Sequence, residues 1–236
     1  MLFSAAYAEA QPLPKMTIKP LTKNYYVVTS YGYPGKGEPP FPANSLFVVT
    51  DAGIILIDTP WSEEQTRQLA NLLQSTYHKK IVLCIATHFH PDRTIGFDVL
   101  KKQGTKTFTS QLTYKLAKQH GEKLPEFTFA RDTTFNIGGV TLKTFYPGEG
   151  HTQDNIVVWF PDRLILVGGC LVKSLETNSK GYTADASLKQ WPVSIKKLIR
   201  RYGRAKYVIP GHQGWQGGIS ALSHTIDVVN GTTPEP

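Results

Sequence analysis

The segment Thr87-His88-Phe89-His90-Pro91-Asp92 sets two imidazoles and a carboxylate at alternate positions. On extended chain leaving a strand, residues two apart project to the same side. Each of these groups would need a partner if it were buried for packing alone. Together they offer nitrogen and oxygen ligands to one small region, and the chemistry they point to is metal binding.

Three more residues follow apolar, strand-like runs. His151 lies in Gly148-Glu149-Gly150-His151-Thr152, where glycine lets the backbone turn tightly around a site. Cys170 follows Ile165-Leu166-Val167-Gly168-Gly169, and His212 ends Pro210-Gly211-His212. A lone buried cysteine is ordinarily a small hydrophobe, so the shared placement at strand ends is what groups these residues. Cys84 lies mid-run in Ile81-Val82-Leu83-Cys84-Ile85-Ala86 and reads as inert core; His78, His120 and His224 read as surface or packing residues. The remaining ligands divide into two sets. His88, His90 and His151 suit a catalytic zinc with its fourth position open to water. Asp92, Cys170 and His212 form a second three-ligand set, whose thiolate disfavours magnesium and calcium. Two zinc ions about 3.5–4 Å apart can share one nucleophile.

The elements that must position these residues show an internal echo. Asn44 to Ile57 lies over Asn155 to Gly168 without a gap, and each stretch reads as strand, turn and buried strand. A helix follows in each half. The first opens on a capping box, Ser62 with Gln65, and carries an apolar stripe of Leu69, Leu72 and Leu73. The second has Ile195, Leu198, Ile199 and Tyr202 at helical spacing. Further apolar strands, Lys80 to Thr87 and Ala205 to Pro210, then lead into His88 and His212. Two β-rich halves with outer helices predict an α/β fold, a four-layer αββα sandwich with chemistry at the strand ends. A single domain is expected over residues 16–230, after a tail of residues 1–15. The Gly- and Pro-rich run from Ser30 to Pro42 cannot hold a regular ladder inside a sheet and reads as a hairpin tip or lid. Leu175 to Ala186 reads as a second polar connector.

The chain has 236 residues, 40% of them hydrophobic, which is enough for a substantial core and excludes disorder by composition. Two cysteines exclude a disulfide scaffold, and no apolar run reaches the roughly 20 residues needed to span a bilayer. The net charge is +8. Its one concentrated basic stretch, Lys196 to Arg204, is not interleaved with stacking aromatics and reads as a solvated helix face rather than a nucleic-acid site. Met1 to Ala10 has the small-x-small spacing of a signal cleavage site but lacks the basic and apolar regions before it. It reads as the tail of a truncated signal peptide, which predicts a periplasmic, secreted protein.

Thr87 to Arg93, Gly150-His151-Thr152, Asp154-Asn155, Gly168 to Ser174 and Pro210-Gly211-His212 together resemble the class B metallo-β-lactamases, specifically the di-zinc subclass with a His–His–His and an Asp–Cys–His site. Leu56 to Trp61 and Ala184-Asp185-Ala186 extend the match. The αββα sandwich is that family's fold. The resemblance implies hydrolysis of the β-lactam ring of penicillins, cephalosporins and carbapenems, conferring resistance, by a zinc-bound hydroxide and without an acyl-enzyme. It assigns His88, His90 and His151 to one zinc and Asp92, Cys170 and His212 to the other, with Asp92 also in the catalytic machinery. Lys173 would pair with the substrate carboxylate. The Tyr31 to Pro42 loop would close over substrate through Tyr31, Tyr33 or Phe41. Asp58 and Arg93 would orient ligands from behind. The chain departs from its relatives at Gly181-Tyr182, where many have Gly-Asn; Tyr182 then becomes a substrate contact through its hydroxyl. The remaining expectations are a small-molecule β-lactam partner, no nucleic acid, no transmembrane segment and a monomer.

Thioester hydrolases and nucleases share the fold. They typically place histidine after the aspartate, where this chain has Arg93, and a bridging aspartate in the position of Cys170. Both positions speak against them.

Overall fold

The computed structural model describes residues 12–130 and 132–232. Most of the predicted N-terminal tail therefore lies outside the described residues. Hydrophobic residues alternate along the strands with period two, so each strand feeds two different cores.

The first sheet has seven strands in chain order: β1 (Thr17–Thr22), β2 (Tyr25–Gly32), β3 (Phe41–Thr50), β4 (Gly53–Ile57), β5 (Ile81–Ile85), β6 (Lys106–Ser110) and β7 (Phe127–Phe129). It is antiparallel from β1 to β4 and parallel from β4 to β7. The second sheet holds β8 (Thr134–Ile137), β9 (Val140–Phe145), β10 (Val157–Phe160), β11 (Ile165–Gly169) and β12 (Tyr207–Pro210) in reverse order; only β11 and β12 run parallel.

Leu46, Val48, Ile55, Ile57, Leu83 and Ile85 of the first sheet face Val158, Phe160, Ile165, Val167 and Ile209 of the second in a shared inner core. The alternate residues Phe47, Ile54, Leu56 and Cys84 pack outward on helices α1 (Glu63–Tyr77) and α3 (Phe97–Lys102). Val157, Leu166 and Val208 pack outward on α5 (Trp191–Tyr202) and α6 (Ser220–Asn230). The layers are helix, sheet, sheet, helix, as the pattern predicts. Cys84 is fully buried in the outer core of the first sheet, and burial pushes its thiol up. Two short helices complete the chain, α2 (Pro91–Thr94) and α4 (Gln111–His120).

The echo is present in the pairing register. Phe47 faces Leu56 and Val158 faces Val167, and the ungapped alignment superimposes these two pairs. Each hairpin leads through a helix into a parallel neighbour, β4 to β5 and β11 to β12. The halves also cross-brace. Asn44 N donates to Gly211 O, just before His212, and Ile156 N donates to Thr87 O, just before His88. A backbone N–H in or just before a strand of each half thus holds the carbonyl that precedes a histidine of the other.

Three local expectations need correction. The β2–β3 ladder runs through the Pro-rich segment as far as Gly32 paired with Phe41, so the tip spans only residues 33–40. Pro42 is tolerated because β4 pairs with β3 only from Leu46 onward, leaving that end without a second ladder partner. The capping box at α1 is half formed. Ser62 Oγ accepts from Gln65 N, but the Gln65 side chain turns away to accept from Tyr31 N. Leu72 is 45% exposed, because the buried stripe of α1 runs through Leu69, Ala70 and Leu73.

Candidate metal centre

The candidate ligands all lie beyond the ends of strands. His88 and His90 follow β5. Asp92 is in α2, which Pro91 opens at a position where a missing N–H costs nothing. His151 lies in the turn between β9 and β10, Cys170 directly follows β11, and His212 follows β12. Gly211 must be glycine here, since a Cβ would come within 2.6 Å of Cys170 Sγ.

These six residues converge as two triads. His90 Nδ1 lies 3.1 Å from His88 Nε2 and 3.2 Å from His151 Nε2. In the second triad Cys170 Sγ is 3.3 Å from Asp92 Oδ2 and 3.1 Å from His212 Nε2, and His212 Nε2 is 3.2 Å from Asp92 Oδ2. His88 Nε2 and Asp92 Oδ1, 3.8 Å apart, join the two.

The outer nitrogens decide which way the inner ones face. His212 Nδ1 lies 2.7 Å from Pro42 O, and a carbonyl can only accept, so the proton is on Nδ1 and Nε2 presents a lone pair to Cys170 and Asp92. His90 Nε2 lies 2.9 Å from Asp185 Oδ2, so Nε2–H faces the carboxylate and, in the neutral ring that a metal ion requires, Nδ1 is the lone pair toward His88 and His151. Burial, reinforced by neighbouring imidazoles, holds His88 and His151 well below the usual histidine range, so both rings are neutral at pH 7. Burial is the strongest single influence on the Asp92 carboxyl and pushes it up, but Arg93, His212 and His88 together outweigh it and hold the group well below the usual carboxylate range. Lone pairs and an anion turned on one another are unfavourable without a cation between them. The donor set therefore fits zinc, with imidazole, thiolate and carboxylate on each side of one gap.

Residues 39–212 match the Metallo-beta-lactamase superfamily. The chain belongs to that family.

Among its relatives is the metallo-β-lactamase type 2 of Bacillus cereus, 40% identical over 91% of this chain and 82% of the relative. The type 2 enzyme of Elizabethkingia meningoseptica is 33% identical over 94% and 88% of the two chains. The solved metallo-β-lactamase structure from Pontibacter korlensis superimposes with a TM-score of 0.87 at 40% identity, covering 92% of this chain and 99% of that one. As a metallo-β-lactamase family member the chain is a metal-binding hydrolase.

Behind the second triad, Arg93 is fully buried and every arm of its guanidinium is used. Nε donates to Asp92 Oδ2 at 3.0 Å, Nη1 to Asn44 O at 2.7 Å, and Nη2 to Cys170 Sγ at 3.1 Å and Gly211 O at 2.7 Å. Asp58 lies 3.4 Å from Arg93 Nη1 and accepts from both Thr87 N and Thr87 Oγ1, the residue before His88. Burial pushes the Asp58 carboxyl up to about 6 despite Arg93 and these hydrogen bonds.

Around the mouth, the Phe41 ring lies 5.3 Å from that of His212 and the Tyr182 ring 5.5 Å from that of His90. Tyr182 is 61% exposed, so one face of the ring is free for a ligand. The Lys173 ammonium lies 5.3 Å from the centroid of the buried Trp191 ring, and burial lowers its affinity for the proton. Tyr31 is anchored through its backbone to Gln65, away from its phenol, and Tyr33 stands exposed at the start of the hairpin tip.

Three residues without a role in the sequence reading belong to this centre. Asp185 fixes His90, the Trp61 ring lies 5.7 Å from that of His212, and the Trp191 ring lies 5.7 Å from that of His151. Trp191 also donates Nε1–H to Leu171 O, beside Cys170. Asp185 and Trp61 fall inside the family-like segments, so that resemblance was the available signal; Trp191 offered only an aromatic at the start of a helix.

Proposed function

We propose that this chain hydrolyses β-lactam antibiotics through two zinc ions, one held by His88, His90 and His151 and the other by Asp92, Cys170 and His212. The observation that carries this reading is the fixed direction of the lone pairs. Asp185 and the Pro42 carbonyl orient the His90 and His212 rings from outside, and their inner nitrogens meet the remaining donors within 3.3 Å. When bound, the ions supply a water acidified toward neutral pH and a Lewis acid for the lactam carbonyl.

The protein's own groups then have distinct tasks. Arg93 balances the Asp92 carboxylate and would balance the thiolate that Cys170 becomes on binding a metal; without one, burial pushes the Cys170 thiol well up despite Arg93. Asp92, held ionised, orients the attacking water within the second triad. Lys173 meets the substrate carboxylate from the side of Trp191. Phe41, Trp61 and Tyr182 cover the apolar body of the substrate, with Tyr31 and Tyr33 approaching as the hairpin tip closes. Such a reaction has no serine nucleophile and no acyl-enzyme.

The substrate scope we infer is penicillins, cephalosporins and carbapenems, supported by the family and by the open wall at Tyr182. The basic face of α5 carries no nucleic-acid reading. Lys197 is tied to Pro147 O and Arg201 lies over the Phe145 ring. We also infer a monomer acting in the periplasm. No helix among the described residues is long and apolar enough to cross a membrane.

The test is nitrocefin hydrolysis before and after chelation. Turnover should vanish on treatment with EDTA and return with added zinc. Turnover that survives complete zinc removal would overturn the reading.

A further inference from the structure

The two halves of the echo each open on an asparagine, Asn44 within β3 and Asn155 just before β10. Both side chains are buried, at 1% exposure. A buried carboxamide must find partners for two N–H groups and one oxygen, and these two find most of theirs in the turns that carry His212 and His151.

Asn44 Nδ2 donates to Pro210 O at 3.1 Å and to Gln213 O at 2.8 Å, so both amide hydrogens are spent on the carbonyls flanking Gly211-His212. Its Oδ1 accepts from Thr29 Oγ1 on the neighbouring strand. Gln213 itself has a φ of 60°, a left-handed conformation that a non-glycine residue holds only under constraint. Asn155 spans the other turn. Its Nδ2 donates to Gly148 O at 2.8 Å, and its Oδ1 accepts from Thr152 N at 3.0 Å. His151 lies between those two anchor points.

We propose that Asn44 and Asn155 are paired positioning residues, each holding one histidine turn and each serving a different metal ion: Asn155 the site of His88, His90 and His151, and Asn44 the site of Asp92, Cys170 and His212. This rests on the two-zinc reading above. Neither asparagine touches a metal ligand's donor atom. Each acts by fixing the backbone from which a ligand projects, and backbone freedom there is lost affinity at that site alone. The chemistry of the two clamps differs in a way that substitution can read. Asn44 uses its amide purely as a donor toward the turn, so Asn44→Asp would set a carboxylate against two carbonyls. Asn155 uses donor and acceptor, so Asn155→Asp would keep the bond from Thr152 N.

The experiment is titration of the metal-free protein with cobalt(II), followed by competition with a chelator. The thiolate-to-cobalt charge-transfer band reports the Cys170 site, and the visible ligand-field bands report total occupancy. The unsubstituted chain should take two equivalents. Asn44→Ala and Asn44→Asp should both weaken the thiolate-bearing site by about 10–100-fold and leave the other unchanged. Asn155→Ala should weaken the histidine site by a similar factor while the charge-transfer band still develops at low cobalt. Asn155→Asp should fall between Asn155→Ala and the unsubstituted chain. The near-isosteric aspartates serve if an alanine variant fails to fold. Equal weakening of both sites by either asparagine, or no change at either, would overturn the proposal. Fewer than two equivalents in the unsubstituted chain would instead overturn the two-zinc reading on which it rests.

Discussion

The Arg93 guanidinium lies 3.1 Å from Cys170 Sγ, and the same nitrogen lies 2.7 Å from Gly211 O, so one buried cation braces both the thiol and the turn that carries His212. Removing it leaves the Asp92 carboxylate buried without its main counter-charge. Arg93→Ala should therefore cost about 3–5 kcal/mol of folding stability, measured by denaturant unfolding of the metal-free protein. Arg93→Lys should recover only part of this, because one ammonium cannot replace a planar fork that reaches Asp92, Asn44, Cys170 and Gly211 together.

Asp185 should matter through His90 alone. Its carboxylate sets which nitrogen of the ring is protonated, and partners of this kind are typically worth 10–100-fold in metal affinity. Asp185→Ala should lower affinity at the histidine site by about that factor and leave the thiolate-bearing site intact, as read by zinc competition with a chromophoric chelator.

The ligands were legible in the sequence because they break an apolar pattern. His88, His90 and Asp92 follow directly on a strand that reads as pure core, and His212 follows its counterpart. The four layers were legible for the same reason: alternation along β3, β4 and β5 assigns each residue to the inner or outer core. Asp185, Trp191 and the two asparagines were not legible in this way. They act through neighbours distant in sequence, as when Asn44 reaches Pro210 and Gln213, and no local spacing encodes that meeting. Gln65 shows the limit from the other side. Its position three residues after Ser62 satisfies the capping-box pattern, yet the β2 backbone offers its side chain a better partner at Tyr31.

Tyr182 should govern substrate choice without touching stability. The side chain is largely exposed and meets the His90 ring at a near-perpendicular angle. Tyr182→Asn should change folding stability by no more than about 0.5 kcal/mol and leave zinc content unchanged. It should raise KM for nitrocefin, whose aromatic group loses an apolar wall, more than for a carbapenem with a small side group. Parallel steady-state kinetics on the two substrates check this.

Acid sensitivity has an identifiable surface contributor. Hydrogen bonds from Lys101 and Lys123, both at 2.8 Å, hold the Asp98 carboxyl below its ordinary range. A carboxylate with a lowered folded pKa contributes its full stability above the ordinary value and loses it as pH falls through the folded value. Asp98→Asn should therefore be less stable than the unsubstituted protein at pH 7, and the gap should close in strong acid. The pair is partly solvent-exposed, so the difference at pH 7 should stay within about 0.2–1 kcal/mol. Urea unfolding of both proteins at pH 7 and below pH 3 measures it.

On the two-zinc reading, each of the two triads holds one zinc ion. Zinc content after saturation and desalting is measured by elemental analysis against protein concentration. Two zinc ions per chain, falling to one in Cys170→Ala, is the predicted result. Fewer than two zinc ions per chain at saturation, or a content that Cys170→Ala leaves unchanged, would contradict it.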